Sequence, residues 1–160
     1  MAGHGTPSTP LAPAENGPRS IGIAAASWHA QIMDSLMDGA RRAARDAGID
    51  DIVEIRVPGS FEVPIAAQSL ARATDVVVGL GVVIRGETPH FEHIASAATS
   101  GLAQVALEES TPVGNGVLTV NTQEQAIARA GGEGASEDAG YAAAEAAIRT
   151  YRAIAEVRGR

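Results

Sequence analysis

The chain has 160 residues, of which 45% are hydrophobic but only 3% aromatic, so we expect one domain with an aliphatic core. Its net charge of −7, without a basic cluster, argues against nucleic acid or a membrane surface as a partner. All 12 basic residues are arginines and cysteine is absent, which excludes a lysine Schiff base, a Walker-type phosphate lysine and thiolate chemistry. No apolar run is long enough to span a bilayer, and we expect a cytoplasmic protein.

Residues 1–18 are rich in glycine, proline, serine and threonine, which predicts a flexible N-terminal extension unless a partner subunit orders it. Residues 19–160 are then a single domain in which strands and helices alternate. In chain order we predict the strand Ser20–Ala26, the helix Gln31–Ala47, the strand Asp51–Val57, the helix Val63–Arg72, the strand Thr74–Ile84, the helix Pro89–Glu108, the strand Pro112–Leu118, the helix Thr122–Ala130 (ended by two glycines) and the helix Ser136–Val157.

This alternation is typical of a parallel sheet that is covered by helices on both faces. In such a sheet, ligands bind beyond the carboxyl ends of the strands, where the loops converge. Four loops fit that description here, at residues 27–29, 58–62, 85–90 and 118–122. They bring the only tryptophan, an acid and a histidine to one edge of the sheet, and this coincidence favours a ligand site there.

The loop after the third predicted strand is the most informative of the four. A hydroxyl residue before proline, as in Thr88-Pro89, marks a helix start, so the N–H groups of Gly86, Glu87 and Thr88 would lie at the positive end of a helix dipole. That position suits phosphate. His90 would stand in the first turn, where an imidazole can move protons near neutral pH. An ordinary strand-to-helix connection with an exposed histidine explains the same residues equally well.

Single residues at this edge also have plainer explanations. A lone tryptophan such as Trp28 usually packs in a core or an interface, and stacking on a planar ligand explains its position about equally well. Glu62, one turn into a helix, is more simply a favourable partner of the helix dipole. His90 and His93 could share a helix face, but no third ligand has suitable spacing, so we expect no metal.

Several motifs together resemble the lumazine synthase family. They run in the family's order from about Arg19 to the C-terminus, and the stretch GVVIRGETPHFE at residues 81–92 is highly specific. The others are SWH at 27–29, PGSFEVP at 58–64, NGVLT at 115–119 and RAG at 129–131. The resemblance implies an α/β subunit with a three-layer flavodoxin-like fold and a four-stranded parallel sheet. It also implies a homopentamer, or a decamer of two pentamers, with active sites between subunits.

The family condenses 5-amino-6-ribitylaminouracil with 3,4-dihydroxy-2-butanone 4-phosphate to 6,7-dimethyl-8-ribityllumazine, the penultimate step of riboflavin biosynthesis. It uses no metal or organic cofactor. The resemblance implies that His90 moves protons during the reaction and that Asn115 and Arg129 serve the adjacent subunit. The residues implied to bind the pyrimidine and its ribityl chain are Trp28, Ser60, Phe61, Glu62, Val82, Val83, Ile84 and Asn115, and those implied to bind phosphate are Gly86, Glu87, Thr88 and Arg129.

One position departs from the family pattern. The family usually has a lysine shortly after the arginine that matches Arg129, next to a glycine, whereas this chain has Ala139 before Gly140. The alternative function is therefore a flavin- or ribityl-pteridine-binding protein on the same scaffold, with weak catalysis or none. The segment between Arg129 and Gly140 also looks longer than in capsid-forming relatives, which favours a pentamer or decamer over an icosahedral shell.

Overall fold

The computed structural model describes residues 9–159, in which strands and helices alternate as the sequence predicts. A single turn of 3-10 helix at Ser60–Glu62 leads from the second strand into the second helix. The elements are β1 (Ser20–Ala26), α1 (Ala30–Asp46), β2 (Asp51–Val57), α2 (Val63–Ala71), β3 (Val76–Ile84), α3 (His90–Glu108), β4 (Val113–Val120), α4 (Gln123–Arg129) and α5 (Ala139–Arg158).

The four strands form one parallel sheet in the order β2-β1-β3-β4, which confirms the expected three-layer, flavodoxin-like α/β fold. The helices α2 and α3 pack together on one face, and α1 and α5 pack together on the other. Almost every residue of the central strands β1 and β3 is buried, whereas β2 alternates between half-buried and exposed residues, as expected of an edge strand. Because all strands are parallel, their carboxyl ends and the loops that follow lie along one edge.

Small residues let α5 lie close to its neighbours. A Cβ added at Gly140 would overlap the carbonyl oxygen of Leu36 in α1, and one added at Gly114 in β4 would overlap that of Ala143. The alanines on the inner face of α5 are buried against this contact. The alanine-rich sequence of the last helix thus has a packing reason, because larger side chains would push α5 away from α1 and the sheet.

The predicted start of the last helix at Ser136 is wrong by three residues. The N–H groups of Ser136 and Glu137 donate instead to the carbonyl oxygen of Ala128, at 2.9 and 3.1 Å. The side chain of Asp138 then caps α5 by accepting a hydrogen bond from the N–H of Tyr141 at 3.1 Å. The connection from α4 therefore folds back on the end of α4 before α5 begins.

The expected helix start at Thr88-Pro89 is nearly right in position but lacks the hydroxyl cap. Pro89 precedes the first residue of α3 and already has helical dihedral angles, φ −61° and ψ −7°. No side chain makes a cap hydrogen bond there, and the N–H of Glu92 donates to the carbonyl oxygen of Pro89 at 3.0 Å.

Part of the predicted N-terminal extension is in contact with α5. Leu11 is buried in the core, and Arg152 donates to the carbonyl oxygen of Ala12 at 2.6 Å. Arg149 donates to the carbonyl oxygen of Thr9. Residues 1–8 lie outside the described residues, and the domain boundary at residue 19 stays a prediction. No helix within residues 9–159 is long and apolar enough to cross a membrane.

Candidate active site

The junction between β1 and α1 presents Trp28 at the edge where the strands end. The hydroxyl of Ser27 donates to the carbonyl oxygen of Val57 at 2.8 Å, and its N–H donates to that of Pro58 at 3.3 Å. His29 has φ +60° and ψ +55°. This left-handed conformation costs a non-glycine residue about 1–2 kcal/mol. Trp28 lies between these two residues and is 71% exposed, so its indole face is open to a planar ligand or a neighbouring subunit.

The turn after β2 reaches across the sheet to β3, where it places an acid and an aromatic ring. Ser60 is buried, and its hydroxyl donates to the carbonyl oxygen of Val82 at 3.4 Å. Glu62 closes the turn: its Oε2 accepts from the N–H of Gly59 at 2.9 Å. Its other carboxylate oxygen has no donor within the described chain and is open to a ligand hydroxyl. Phe61 is 58% exposed beside it.

The end of β3 supplies an apolar floor next to this turn. Val82 and Val83 are buried and Ile84 is half-buried. Since side chains alternate along a strand, Val82 and Ile84 face one layer of the fold and Val83 faces the other. The glycine before them allows the close approach of the turn, because a Cβ at Gly81 would lie 2.5 Å from the Oγ atom of Ser60.

The loop after β3 is anchored at its first residue and open beyond it. The N–H of Arg85 donates to the carbonyl oxygen of Val120 at 2.9 Å, and its Nε donates to Oδ1 of Asn121 at 3.0 Å. The guanidinium also lies 4.5 Å from the centre of the Phe91 ring. Residues 86–88 are exposed, and their three N–H groups donate to no acceptor within the described chain.

His90 is the first residue of α3, is exposed, and follows the last of these unpaired N–H groups by two residues. The dipole of this 19-residue helix points its positive end at the same place. Unpaired N–H groups at a helix start are a favourable site for an anion, and the imidazole stands next to it. The sequence-based expectation of a phosphate-sized anion beside a proton-transfer group is therefore consistent with the geometry.

Asn115 and Arg129 are tied to other parts of the chain. Asn115 lies on the exposed face of the edge strand β4. Arg129 ends α4, where its Nη1 donates to the carbonyl oxygen of Gln125 at 3.0 Å and its Nε lies 4.0 Å from the carboxylate of Glu137. Among residues 9–159, no hydrogen bond or ion pair links these two residues to the edge that carries Trp28. The role of these two residues in the site of an adjacent subunit stays a prediction.

The connection between α4 and α5 brings Ala139 next to Arg129. Two glycines with φ of +84° and +93° turn the chain after α4, as their place in the sequence predicts. Ala130 then pairs with Asp138 in an antiparallel bridge, which sets Arg129 opposite Ala139. Ala139 is half-buried at this point and packs against the hydrophobic core. The alanine leaves Arg129 as the only arginine or lysine between positions 86 and 148.

Asp138 fixes this connection to α1. Its carboxylate forms an ion pair with Nη2 of Arg42 at 2.5 Å, and Arg42 also pairs with Asp38 at 2.9 Å. The hydrogen bonds that Arg42 donates to Asp138 and Asp38 raise the pKa of its guanidinium above its usual range. Tyr141 lies against the same arginine and donates to Asp46, while burial raises the pKa of its phenol to about 12. The segment that holds Arg129 is thus anchored at its far end.

Sequence reasoning missed the residues that hold the loops in place. Arg85 and Asn121 join the loops after β3 and β4, and Arg56 in β2 contacts the end of β1 and Asp34 in α1. The partners are 22 to 36 residues apart in the chain. The available signal was an arginine at or near the end of a strand, which without the sheet order has no identifiable partner.

The fold is that of a parallel α/β protein, and its strand ends carry a candidate site for a small polar molecule. The site offers an open aromatic ring, a carboxylate, unpaired backbone donors and an imidazole. Among residues 9–159, no three histidine, aspartate or glutamate side chains come together as metal ligands would. The chain also matches known proteins over nearly its whole length. Residues 18–155 match the family model of 6,7-dimethyl-8-ribityllumazine synthase.

Relatives that bear the name 6,7-dimethyl-8-ribityllumazine synthase are about half identical to this chain. The protein of Pseudarthrobacter chlorophenolicus is 56% identical over 153 residues, which cover 94% of this chain and 95% of that protein. The protein of Kocuria rhizophila is 53% identical over 150 residues, covering 94% and 96%. The protein of Saccharopolyspora erythraea is 51% identical over 159 residues, covering 99% and 95%. This chain belongs to the 6,7-dimethyl-8-ribityllumazine synthase family.

Proposed function

We propose that this protein condenses 5-amino-6-ribitylaminouracil with 3,4-dihydroxy-2-butanone 4-phosphate to 6,7-dimethyl-8-ribityllumazine, in the riboflavin pathway of the cytoplasm. The observation that carries the proposal is the loop at residues 85–90, where three unpaired N–H groups adjoin a histidine at the start of a long helix. Family membership over residues 18–155 supports the choice of substrates. The proposed reaction needs neither a metal nor an organic cofactor.

The ribityl-pyrimidine is placed against the first two loops of the edge. Its ring stacks on Trp28 above the apolar end of β3, and its ribityl chain runs along Ser60, Phe61 and Glu62. The free oxygen of Glu62 accepts hydrogen bonds from the ribityl hydroxyls. The exposure of two large aromatic side chains supports this placement, because such rings are usually covered unless a ligand or a partner contacts them.

The phosphate of the second substrate is placed at the start of α3. The N–H groups of Gly86, Glu87 and Thr88 donate to it, and Arg129 of a neighbouring subunit supplies a fixed positive charge. The contacts of Arg85 support the need for a second arginine. Although Arg85 lies in the same loop, its guanidinium is engaged by Asn121 and by the Phe91 ring.

His90 is placed to move protons between the two substrates. The amine of the pyrimidine attacks the ketone, and water is lost as the imine forms. Elimination of phosphate from the imine then breaks a C–O bond and removes a proton from the neighbouring carbon, and the imidazole accepts that proton. Ring closure with loss of a second water completes the product. Holding the two substrates together supplies the rest of the acceleration.

The proposed assembly is a homopentamer, or a decamer of two pentamers, with the site between subunits. Exposed apolar side chains on the α2–α3 layer support it: Ile65 is 63% exposed and Leu107 is 83% exposed. Asn115 and Arg129 complete the site of a neighbour in this arrangement. Light scattering is expected to show a particle near five or ten times the subunit mass of 16.3 kDa. A fully active monomer would contradict the shared site.

The proposed function is tested by incubating the protein with both substrates and following lumazine fluorescence against a protein-free control. Product above the spontaneous background supports the enzyme. Binding of riboflavin without product formation would instead establish the alternative, a non-catalytic binding protein. The three relatives described above are all named as synthases, which favours the enzyme.

A further inference from the structure

Arg56 holds the backbone on both sides of Trp28. From its place near the end of β2, its Nη1 donates to the carbonyl oxygen of Ala26 at 2.9 Å. Its Nη2 donates to Oδ1 of Asp34, in the second turn of α1, at 2.6 Å. Ala26 is the last residue of β1, and only Ser27, Trp28 and His29 separate it from α1. One guanidinium therefore ties the strand before Trp28 to the helix after it.

The junction between β1 and α1 needs such a tie because little else orients the indole. Trp28 is 71% exposed, so its own packing does not fix it. His29 is in the left-handed region and its side chain makes no cap hydrogen bond to α1. A non-glycine residue stays in that conformation only where the surrounding contacts impose it. The hydrogen bonds of Ser27 to the end of β2 supply part of this restraint, and Arg56 supplies the connection to α1.

We propose that Arg56 and Asp34 are positioning residues for Trp28: together they set the backbone that presents the indole for stacking on the heterocycle of the ribityl-pyrimidine. The inference rests on the function proposed above for its substrate. The planar guanidinium makes both hydrogen bonds at once in a fixed geometry. A lysine at position 56 retains the charge but not this fork, so it replaces arginine only in part.

The chain offers a matched control between the same two elements. Arg41 in α1 pairs with Glu54 in β2 through two hydrogen bonds of 2.6 and 2.8 Å, and the bond from Arg41 lowers the pKa of Glu54, so the pair is ionised at neutral pH. The side chains of Arg41 and Arg56 are equally exposed, at 36%. Within residues 9–159, Arg41 and Glu54 make no hydrogen bond to the junction that carries Trp28, although the charge of Arg56 also lowers the pKa of Glu54. We expect loss of either pair to loosen α1 from β2. Only loss of the Arg56 pair is expected to change the orientation of the Trp28 indole.

The test compares Arg56→Met with Arg41→Met and uses the only tryptophan as the probe. The fluorescence anisotropy of the ligand-free protein is expected to fall in Arg56→Met and to stay unchanged in Arg41→Met. Titration with riboflavin is expected to give a Kd raised by about five- to tenfold in Arg56→Met alone, the scale of losing an aromatic stacking contact. The KM for the ribityl-pyrimidine is expected to rise in parallel in Arg56→Met, and the KM for the phosphate substrate is expected to stay unchanged. Arg56→Lys is expected to recover part of the lost riboflavin affinity.

Equal anisotropy, riboflavin affinity and KM values in the two methionine variants would overturn the inference, even if both are less stable than the parent protein. Asp34→Asn is the second test, because this carboxylate is 70% exposed and its replacement leaves Arg56 bonded to Ala26. It is expected to lower the anisotropy by a smaller amount, and no change in it would remove Asp34 from the inference. If the parent protein forms no lumazine, the proposed function fails, while the anisotropy still decides whether Arg56 orients Trp28.

Discussion

The loops after β2 and β3 lie side by side at the same edge, yet their hydrogen-bonding states are opposite. In the loop after β2, Ser60 is buried and bonded to β3, and Glu62 closes the turn on the N–H of Gly59 at 2.9 Å. In the loop after β3, Arg85 is anchored to Asn121, but the three N–H groups that follow it have no acceptor in the described chain. The loop after β2 is therefore held by its own hydrogen bonds, whereas the loop after β3 has unpaired N–H donors.

The difference corresponds to the two kinds of substrate contact that we propose. A ribityl chain carries several hydroxyls whose positions have to be matched, which favours a rigid turn that is already formed. A phosphate carries its charge on equivalent oxygens and accepts donors from any convergent set of N–H groups. N–H groups that already donate to an acceptor in the chain could not donate to the phosphate. The open loop is thus suited to an anion because its donors are unpaired.

The largest expected effect is on the open side of this comparison, at His90. Proton transfer by a positioned side chain contributes about 10²–10⁴-fold to a rate, so His90→Ala is expected to lower kcat by about 10²-fold. Activity above the spontaneous reaction remains, because the substrates are still held together. His93→Ala is the matched control, since this exposed histidine lies one turn further along α3. Steady-state lumazine formation measures both variants, and equal losses would remove the special role of His90.

The packing of the loop after β2 against β3 is tested by adding a methyl group at Gly81 in β3. The same methyl group at Gly86, in the open loop after β3, is the comparison. A Cβ at Gly81 would lie 2.5 Å from the Oγ and 3.2 Å from the Cβ of Ser60, whereas one at Gly86 would meet nothing within 4 Å. Gly81→Ala is expected to destabilise the protein by about 1–3 kcal/mol, as overpacking does. Gly86→Ala is expected to stay within about 0.5 kcal/mol of the parent. Urea unfolding at one fixed protein concentration measures both, and equal stabilities would contradict the contrast.

Ala139→Lys adds a second positive charge near the open loop after β3, where we place the phosphate. The bridge between Ala130 and Asp138 brings the backbone at position 139 close to Arg129, and we expect the new ammonium to reach the phosphate beside that arginine. A second cation at a partly exposed site contributes up to about 1 kcal/mol, so the KM for the butanone phosphate is expected to fall by about three- to fivefold. The KM for the ribityl-pyrimidine is expected to stay unchanged, and high salt is expected to reduce the gain.

Ala142→Lys is the control for that variant, because it adds the same charge at an exposed position in the first turn of α5. If both lysine variants lower the KM equally, the gain is a general effect of net charge. If neither does so at low salt, position 139 does not face the phosphate.

The smallest expected effect comes from the acid next to Arg129. The carboxylate of Glu137 lies 4.0 Å from the Nε of Arg129, and both side chains are partly exposed. Glu137→Gln is expected to lower the KM for the phosphate substrate by about twofold, as removal of a screened surface anion does. Glu133→Gln, an exposed acid of the same connection, is expected to have no effect. Inhibition by inorganic phosphate gives an independent measurement, and identical values for the two variants would show that Glu137 does not compete with phosphate.

The alternation of elements, the parallel sheet and the edge at which the loops meet were all predictable from the amino-acid sequence. These features follow from local patterns. The β-branched run Val76–Ile84 predicts a buried strand, and the spacing of apolar residues along α1 predicts a helix with one buried face. The motif at residues 81–92 also determined the family and the placement of His90. The turn at Gly131 and Gly132 was predictable because only glycine readily adopts the positive φ found there.

The contacts that hold the site residues in place depend on how the folded chain brings distant segments together. The pairing of Arg56 with Ala26 and Asp34, and that of Arg85 with Asn121, depend on the order β2-β1-β3-β4, which local periodicity does not encode. The late start of α5 has the same origin, because the N–H groups before it find an acceptor at Ala128 in the preceding helix. Local patterns determine what each segment forms, but a hydrogen bond between distant residues exists only once the fold has brought its donor and acceptor together.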